Sequence, residues 1–230
     1  MKERVLFQDL GQMDYQQAWD YQEVLLQESL ALKKTEANGA RSTKHHLLFV
    51  EHPPVYTLGK SGHLEHVLIG EEERTAKGIQ FFHTNRGGDI TFHGPEQLVG
   101  YPILDLEKFY TDIGRYLRSL EEVIILTLAE YSIVAGRSPG ETGVWIDAQT
   151  KGSERKICAM GVRCSRWVTM HGFALNVNTD LDYFNHIIPC GIQNKSVTSI
   201  KKELGQVVAM NEVKEKVKRN FEVVFDAQLI

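Results

Sequence analysis

A thiol held between proline and glycine, Pro189-Cys190-Gly191, is the pattern in this chain best suited to covalent chemistry. Proline fixes its own φ and glycine reaches conformations closed to other residues, so Cys190 sits on a sharply shaped turn whose neighbouring N–H groups can face a ligand. Packing is the commoner use of cysteine, but such a turn favours a nucleophile. Cys158, between Ile157 and Ala159-Met160, reads as a buried strand position, and Cys164, among Arg163, Ser165 and Arg166, as a turn residue. Lys156 opens an apolar run and leaves two readings open. It is a strand-end lysine whose ammonium reaches water, or a lysine drawn into a site where desolvation changes its acidity. The run Arg86-Gly87-Gly88-Asp89-Ile90-Thr91-Phe92-His93-Gly94-Pro95 is dense in glycine and hydrogen-bonding groups, with Thr91 and His93 on one strand face, and reads as a ligand-lining loop. His171-Gly172-Phe173-Ala174 again pairs a histidine with a glycine that permits close backbone approach. Thiol, lysine and shaped loop together point to acyl transfer through a thioester.

Other motifs fall short. Gly59-Lys60-Ser61 imitates the end of a phosphate-binding loop, but Pro54 holds the place of its first glycine. No G-x-S-x-G elbow is present. His63 and His66 have metal-compatible spacing without a cysteine pair or H-E-x-x-H, so they read as structural or surface histidines, and no metal or cofactor is expected.

These groups need a scaffold. Arg4–Leu10 reads as an edge strand, followed by a helix that Asp14 caps, with Gln17 completing a capping box and Ala18, Leu25 and Leu32 on one face. Residues 35–43 read as a loop, His46–Val50 as a strand stopped by Pro53-Pro54, and Ile79–His83 and Val99–Leu106 as strands flanking the glycine-rich loop. Thr111–Val134 shows a helical stripe through Ile113, Leu117, Leu120, Ile124 and Leu128. Val144–Asp147, Lys156–Arg163 and Trp167–Asn178 are rich in strand formers, and Val213, Val217, Phe221 and Val224 mark a last helix. Strands and helices intersperse without regular βαβ alternation, so the fold class is α/β of the α+β kind, with a largely antiparallel mixed sheet and flanking helices.

A length of 230 residues fits one catalytic domain spanning 1–230, with 205–230 as a candidate small C-terminal cap. The net charge of −4 argues against nucleic acid as partner. No signal peptide or membrane-spanning run is legible, and three cysteines cannot all pair within the chain, so a cytoplasmic protein with reduced thiols is expected.

Five segments taken together resemble the octanoyl-[acyl-carrier-protein]:protein N-octanoyltransferases, also called lipoyl (octanoyl) transferases: HPPVYTLGKSG at 52–62, RGGDITFHGPEQLVGYP at 86–102, KICAMGVR at 156–163, HGFALNVNTDL at 171–181 and PCGI at 189–192. Glu96 departs from the family's usual HGPGQ, which touches the loop after His93 and not the chemistry. The resemblance implies a biotin/lipoate protein ligase-like fold, Cys190 as acyl-carrying nucleophile and Lys156 as the group that lowers its pKa. It places Arg86, Gly87, Gly88, Asp89, Ile90, Thr91, Phe92, His93, Ala159, Met160, Gly161, His171, Gly172, Phe173 and Ala174 along the acyl substrate. It implies octanoyl-acyl carrier protein as donor and, as acceptors, lipoyl domains of 2-oxoacid dehydrogenase complexes and the glycine cleavage H protein. This is the first step of endogenous protein lipoylation, without ATP. Docking of an acidic carrier would use a local basic patch, for which Lys151, Arg155, Arg163, Arg166, Lys201 and Lys202 are the candidates. Two other readings stand beside it: an ATP-dependent lipoate or biotin ligase, which needs no nucleophilic thiol, and a silent protein that only binds acyl groups or lipoyl domains.

Overall fold

The computed structural model of the chain describes residues 2–36, 43–188 and 196–230. Among them a mixed sheet is built from β1 (Glu3–Gln12), β2 (His45–Glu51), β6 (Gln97–Ile103), β7 (Ala135–Gly136), β8 (Val144–Ile146), β9 (Arg155–Ser165), β10 (Val168–Asn176), β11 (Ser196–Val197) and β12 (Ala227–Leu229). The order is β12-β1-β2-β6-β10-β9-β8-β7, with β11 also paired to β9. Pairing is antiparallel from β2 through β7, whereas β1 runs parallel to both β2 and β12, and β11 parallel to β9. The first strand is therefore interior and not an edge. Its outer partner β12 is too short to show a period in sequence.

The central strands β2, β6 and β10 are buried along nearly their whole length because helices cover both faces. Leu47, Phe49, Leu98, Phe173 and Leu175 face one apolar layer, shared with α3 (Ile113–Ala129) and α5 (Met210–Phe225). Leu48, Val50, Val99, Tyr101 and Ala174 face another, shared with Ala18, Leu25 and Leu26 of α1 (Tyr15–Glu36). The first helix starts where Asp14 accepts the Gln16 N–H at 2.9 Å, and runs on through Glu36, past the expected start of the loop. The third helix starts at Asp112, whose carboxylate accepts the Arg115 N–H at 2.9 Å. It is shorter than the apolar stripe predicts, and Val134 is exposed. Residues 205–230, read from sequence as a candidate cap, place α5 against α3 and β12 against β1.

A small second sheet, β4-β3-β5, stands beside the large one, from β3 (Val55–Leu58), β4 (Gln80–His83) and β5 (Ile90–His93). Its apolar face packs Tyr56, Phe92, Phe184 and Ile187 into a separate cluster. Short α2 (Glu71–Ala76) precedes β4, and α4 (Ile200–Leu204) follows β11. Among the described residues no helix is long and apolar enough to cross a membrane.

One buried carboxylate fastens the connection that enters β8. Glu121 on α3 is fully buried, accepts from Arg118 at 2.7 Å and Arg137 at 2.9 Å, and accepts the Gly143 N–H at 3.0 Å. Both arginines keep substantial exposure, so they regain water when the acid is removed, and the main loss is the charged hydrogen bonds. Glu121→Ala is expected to lower stability by about 2–3 kcal/mol in urea melts, and Glu121→Gln, which keeps an acceptor for Gly143, by less.

Candidate active site

The site begins with two loops that clip together. Gly59, Lys60 and Ser61, which follow β3, donate backbone N–H bonds to the carbonyls of Asp89 (3.1 Å), Arg86 (3.0 Å) and Gly88 (3.2 Å). The false phosphate loop thus braces the glycine-rich loop before β5. The fit requires glycine: a Cβ on Gly59 would lie 2.2 Å from the Gly88 carbonyl oxygen. The buried Arg86 guanidinium sits within this clip and donates from Nη2 to Thr57 O at 2.6 Å, Thr57 Oγ1 at 3.0 Å and Asp89 O at 2.8 Å. Gly87 N–H then reaches Val162 O on β9 at 2.9 Å, which carries the loop across the large sheet. Gly161 lies beneath, and a Cβ there would meet Gly87 O at 2.7 Å.

Between the sheets lies a cavity of about 470 Å³, within the usual small-molecule range of roughly 300–1,000 Å³. Arg86, Gly88, Asp89, Ile90, Thr91 and His93 line it from one side, and Ala159, Met160, Gly161, His171, Gly172, Phe173 and Ala174 from the large sheet. Two of the residues singled out in sequence stand apart from this wall. Gly87 serves through its backbone tie to β9. Phe92 points into the third apolar cluster, stacked on Tyr183 with ring centroids 4.5 Å apart. Alternation along β5 sends Phe92 away from the side that carries Thr91 and His93.

Lys156 joins the same wall and is 7% exposed. Its Nζ lies 4.6 Å from the centre of the Trp145 ring, a cation–π contact with the residue paired to it on β8. On the other side of Lys156, where β10 has ended, β11 takes its place and Val197 pairs with Lys156. Cys190 and the rest of 189–195 lie outside the described residues. The chain on either side does not. Ile188 N–H donates to His66 O at 2.8 Å, Ile187 bridges Val67, and both His66 and Val197 line the cavity. Burial pushes the thiols of Cys158 and Cys164 up, so neither is poised as a thiolate at neutral pH.

The deep wall is polar yet uncharged. His52 donates from Nδ1 to Met13 O and accepts the Tyr101 hydroxyl at Nε2, both at 2.8 Å. His93 Nδ1 donates to Gln97 Oε1 at 2.9 Å. His171, held at φ 61° with its N–H on Gln22 Oε1, directs Nε2 to Asn85 Oδ1 at 2.8 Å, and its buried Nδ1 meets no hydrogen-bond partner among the described residues. Burial lowers His52 to about 4 and His171 to about 3, and holds His93 well below the usual range; the Arg86 charge adds to the depression of His93 and His171. All three are neutral imidazoles at neutral pH.

Sequence reasoning did not single out Tyr15, Gln97 or Thr142, which also line the cavity. His63 and His66, expected as structural or surface histidines, form part of its wall. Their rings lie 5.5 Å apart, and His66 is held by Asp89. Among the described residues no group of three or more His, Cys, Asp or Glu is arranged to hold a metal ion. Of the proposed docking cations, Arg155 is tied to Glu203 and Asp147, and Arg163 to Glu23, whereas Lys151, Arg166, Lys201 and Lys202 form no ion pair among the described residues.

The chain matches a family described as lipoyl protein ligase A/B catalytic domain over residues 14–222. A curated relative from Christiangramia forsetii named octanoyltransferase is 58% identical over 232 residues, covering 100% of this chain and 99% of the relative. Among solved structures, one of a bipartite lipoate protein ligase and its E2 lipoyl domain from Thermoplasma acidophilum superposes with a TM-score of 0.68 at 18% identity, covering 100% of this chain and 88% of the other. Biotin protein ligase from Aquifex aeolicus gives a TM-score of 0.50 at 13% identity, covering 98% and 70%. At these identities the structural likeness is one of fold.

The neutral histidines make stability depend on pH. Each has a folded pKa below its unfolded value of about 6.5, so the unfolded chain binds more protons between the two values. Stability is full above pH ~6.5 and is lost as pH falls, by up to about 1.4 kcal/mol per pH unit for each group. Denaturant melts between pH 7 and 5 should show this decline, and His52→Gln, which keeps a donor and an acceptor, should make it shallower.

Proposed function

The chain belongs to the lipoyl protein ligase A/B catalytic-domain family, and from that premise we propose that it moves an octanoyl group from octanoyl-acyl carrier protein to a specific lysine of lipoyl domains through a thioester on Cys190. The single observation that supports this most is Lys156: its ammonium stands in the cavity wall, on the strand whose neighbour β11 continues directly from residues 189–195. The ties of Ile188 to His66 and of Val197 to Lys156 fasten both flanks of that segment to one wall. The whole chain acts as one catalytic domain. Two free thiols in Cys158 and Cys164 fit a reducing cytoplasm.

A free thiol has a pKa near ~8.5, so only a few per cent is ionised at neutral pH. A neighbouring ammonium stabilises the thiolate and raises that fraction. The thiolate attacks the donor carbonyl, the C–S bond to phosphopantetheine breaks, and Lys156 returns a proton to the departing thiol. The acyl chain lies along Val99, Tyr101 and Ala174, which share one face of the large sheet, and each buried CH₂ contributes about 0.8 kcal/mol. Small residues at Ala159, Gly161, Gly172 and Ala174 keep that side of the cavity open. The acceptor amine then takes the acyl group. Thioester to amide is downhill, so ATP is not required. Acceptors are lipoyl domains, including those of 2-oxoacid dehydrogenase complexes and the glycine cleavage H protein. Lys151, Arg166, Lys201 and Lys202 receive the acidic carrier.

Intact mass after mixing with octanoyl-acyl carrier protein, without ATP, is expected to show one added octanoyl group mapping to Cys190. Cys190→Ala should lose it, and an adduct on Cys158 or Cys164 would overturn the assignment. A strict need for ATP would favour a ligase instead. Lys156→Ala should move the pH midpoint of Cys190 alkylation upward, and should reduce acyl transfer more than alkylation. An unchanged alkylation profile with near-normal transfer would leave Lys156 as a strand-end lysine.

A further inference from the structure

His66 and Asp89 form a second pair of ionisable groups in the cavity wall. His66 Nδ1 lies 2.5 Å from Asp89 Oδ2, with side-chain exposures of 17% and 11%. Asp89 is fixed: its Oδ1 accepts the Ile90 N–H at 2.7 Å, and its carbonyl accepts from Gly59 N at 3.1 Å and Arg86 Nη2 at 2.8 Å. A carboxylate only accepts hydrogen bonds, so Nδ1 carries the proton and Nε2 of the neutral ring keeps its lone pair. Nε2 has no hydrogen-bond partner among the described residues. The ring is held a second time, since the His66 carbonyl accepts the Ile188 N–H at 2.8 Å.

This is the arrangement of an oriented base. It differs from the buried histidines, which are engaged in hydrogen bonds or deep in the wall. The groups that face or neighbour it are Asp89 from the glycine-rich loop, the His63 ring at 5.5 Å on its own turn, and Lys156 and Glu141 elsewhere on the wall.

We propose that His66, oriented by Asp89, is the base that takes the proton from the acceptor lysine during amide formation, a role that rests on the acyl-transfer reading above. The free amine attacks the thioester carbonyl, and the new C–N bond leaves the nitrogen positively charged. His66 Nε2 removes one proton from that nitrogen, the C–S bond breaks with its electron pair on sulfur, and the imidazolium returns the proton to the thiolate. Amine plus thioester become amide plus thiol, with no oxidant and no other reactant.

The test separates the two halves of the reaction in wild type, His66→Gln and Asp89→Asn. Octanoyl mass uptake from octanoyl-acyl carrier protein is followed first in each, so that the second step is compared per acyl-enzyme formed. Transfer of that group to a lipoyl-domain lysine should fall by on the order of 10²–10⁴-fold in His66→Gln, and by a smaller factor in Asp89→Asn, where the ring is still held. Hydroxylamine, unprotonated at neutral pH, needs no base and should discharge the His66→Gln acyl-enzyme at near the wild-type rate. The ratio of wild-type to His66→Gln transfer cancels the ionisation of the amine itself, and should rise with pH through one protonation step. A flat ratio, or equal losses in acyl uptake, lysine transfer and hydroxylamine discharge, would reduce His66 to a structural residue and overturn the proposal. Wild type forming amide without gaining octanoyl mass would count against the thioester alone, because the pH ratio of amide formation still reads the base.

Discussion

The buried Arg86 guanidinium is the contact on which the rest of the site depends. A charge enclosed this deeply persists only where acceptors surround it, and here carbonyls of Thr57, Gly87 and Asp89 supply them. Satisfying that one cation draws the end of β3 and the glycine-rich loop together. Three backbone bonds then close between Gly59–Ser61 and the 86–89 loop. The loop's position over β9 follows, and so does the need for a bare backbone at Gly59 and Gly161. Burial disfavours a proton on His93 and His171, and the same charge adds to that effect. A single cation therefore positions the loops that form one wall and reinforces the burial that keeps His93 and His171 uncharged.

The chemistry divides the cavity by polarity. Lys156 and the His66–Asp89 pair hold ionisable groups where chain flanking 189–195 is fastened. The middle of the large sheet offers small residues at Ala159, Gly161, Gly172 and Ala174. An acyl chain gains from the apolar part, while its carbonyl needs the charged part. Trp145 holds the Lys156 ammonium, because its ring receives the charge while its backbone pairs with β9.

Much of this was legible in sequence because local patterns report local structure. The Pro53-Pro54 stop marked β2, strand-forming residues marked β9 and β10, and apolar stripes marked α3 and α5. Arg86, His93, Gly161 and Ala174, expected along an acyl substrate, stand in the cavity wall, and Gly87 and Phe92 stand outside it. Phe92 shares the motif of Thr91 and His93, but a strand sends alternate residues to opposite sides, and its ring lies in the third apolar cluster. From spacing alone His66 reads as a structural or surface histidine, because its partner Asp89 is distant in sequence and no spacing rule links the two. The interior position of β1 was hidden for the same reason: a three-residue partner such as Ala227–Leu229 has no period to detect.

That last pairing bears on how the chain reaches its fold. Strand β1 takes one neighbour from β2 and the other from β12, far along the chain. During synthesis from the N-terminus, the hydrogen-bonding edge of β1 waits for almost every other element before it is covered. Long-range closure of this kind slows folding, and an uncovered strand edge invites pairing with other chains. The interval before β12 docks is thus the stage at which a nascent or refolding molecule is most exposed to aggregation, and a holding chaperone would do most good there.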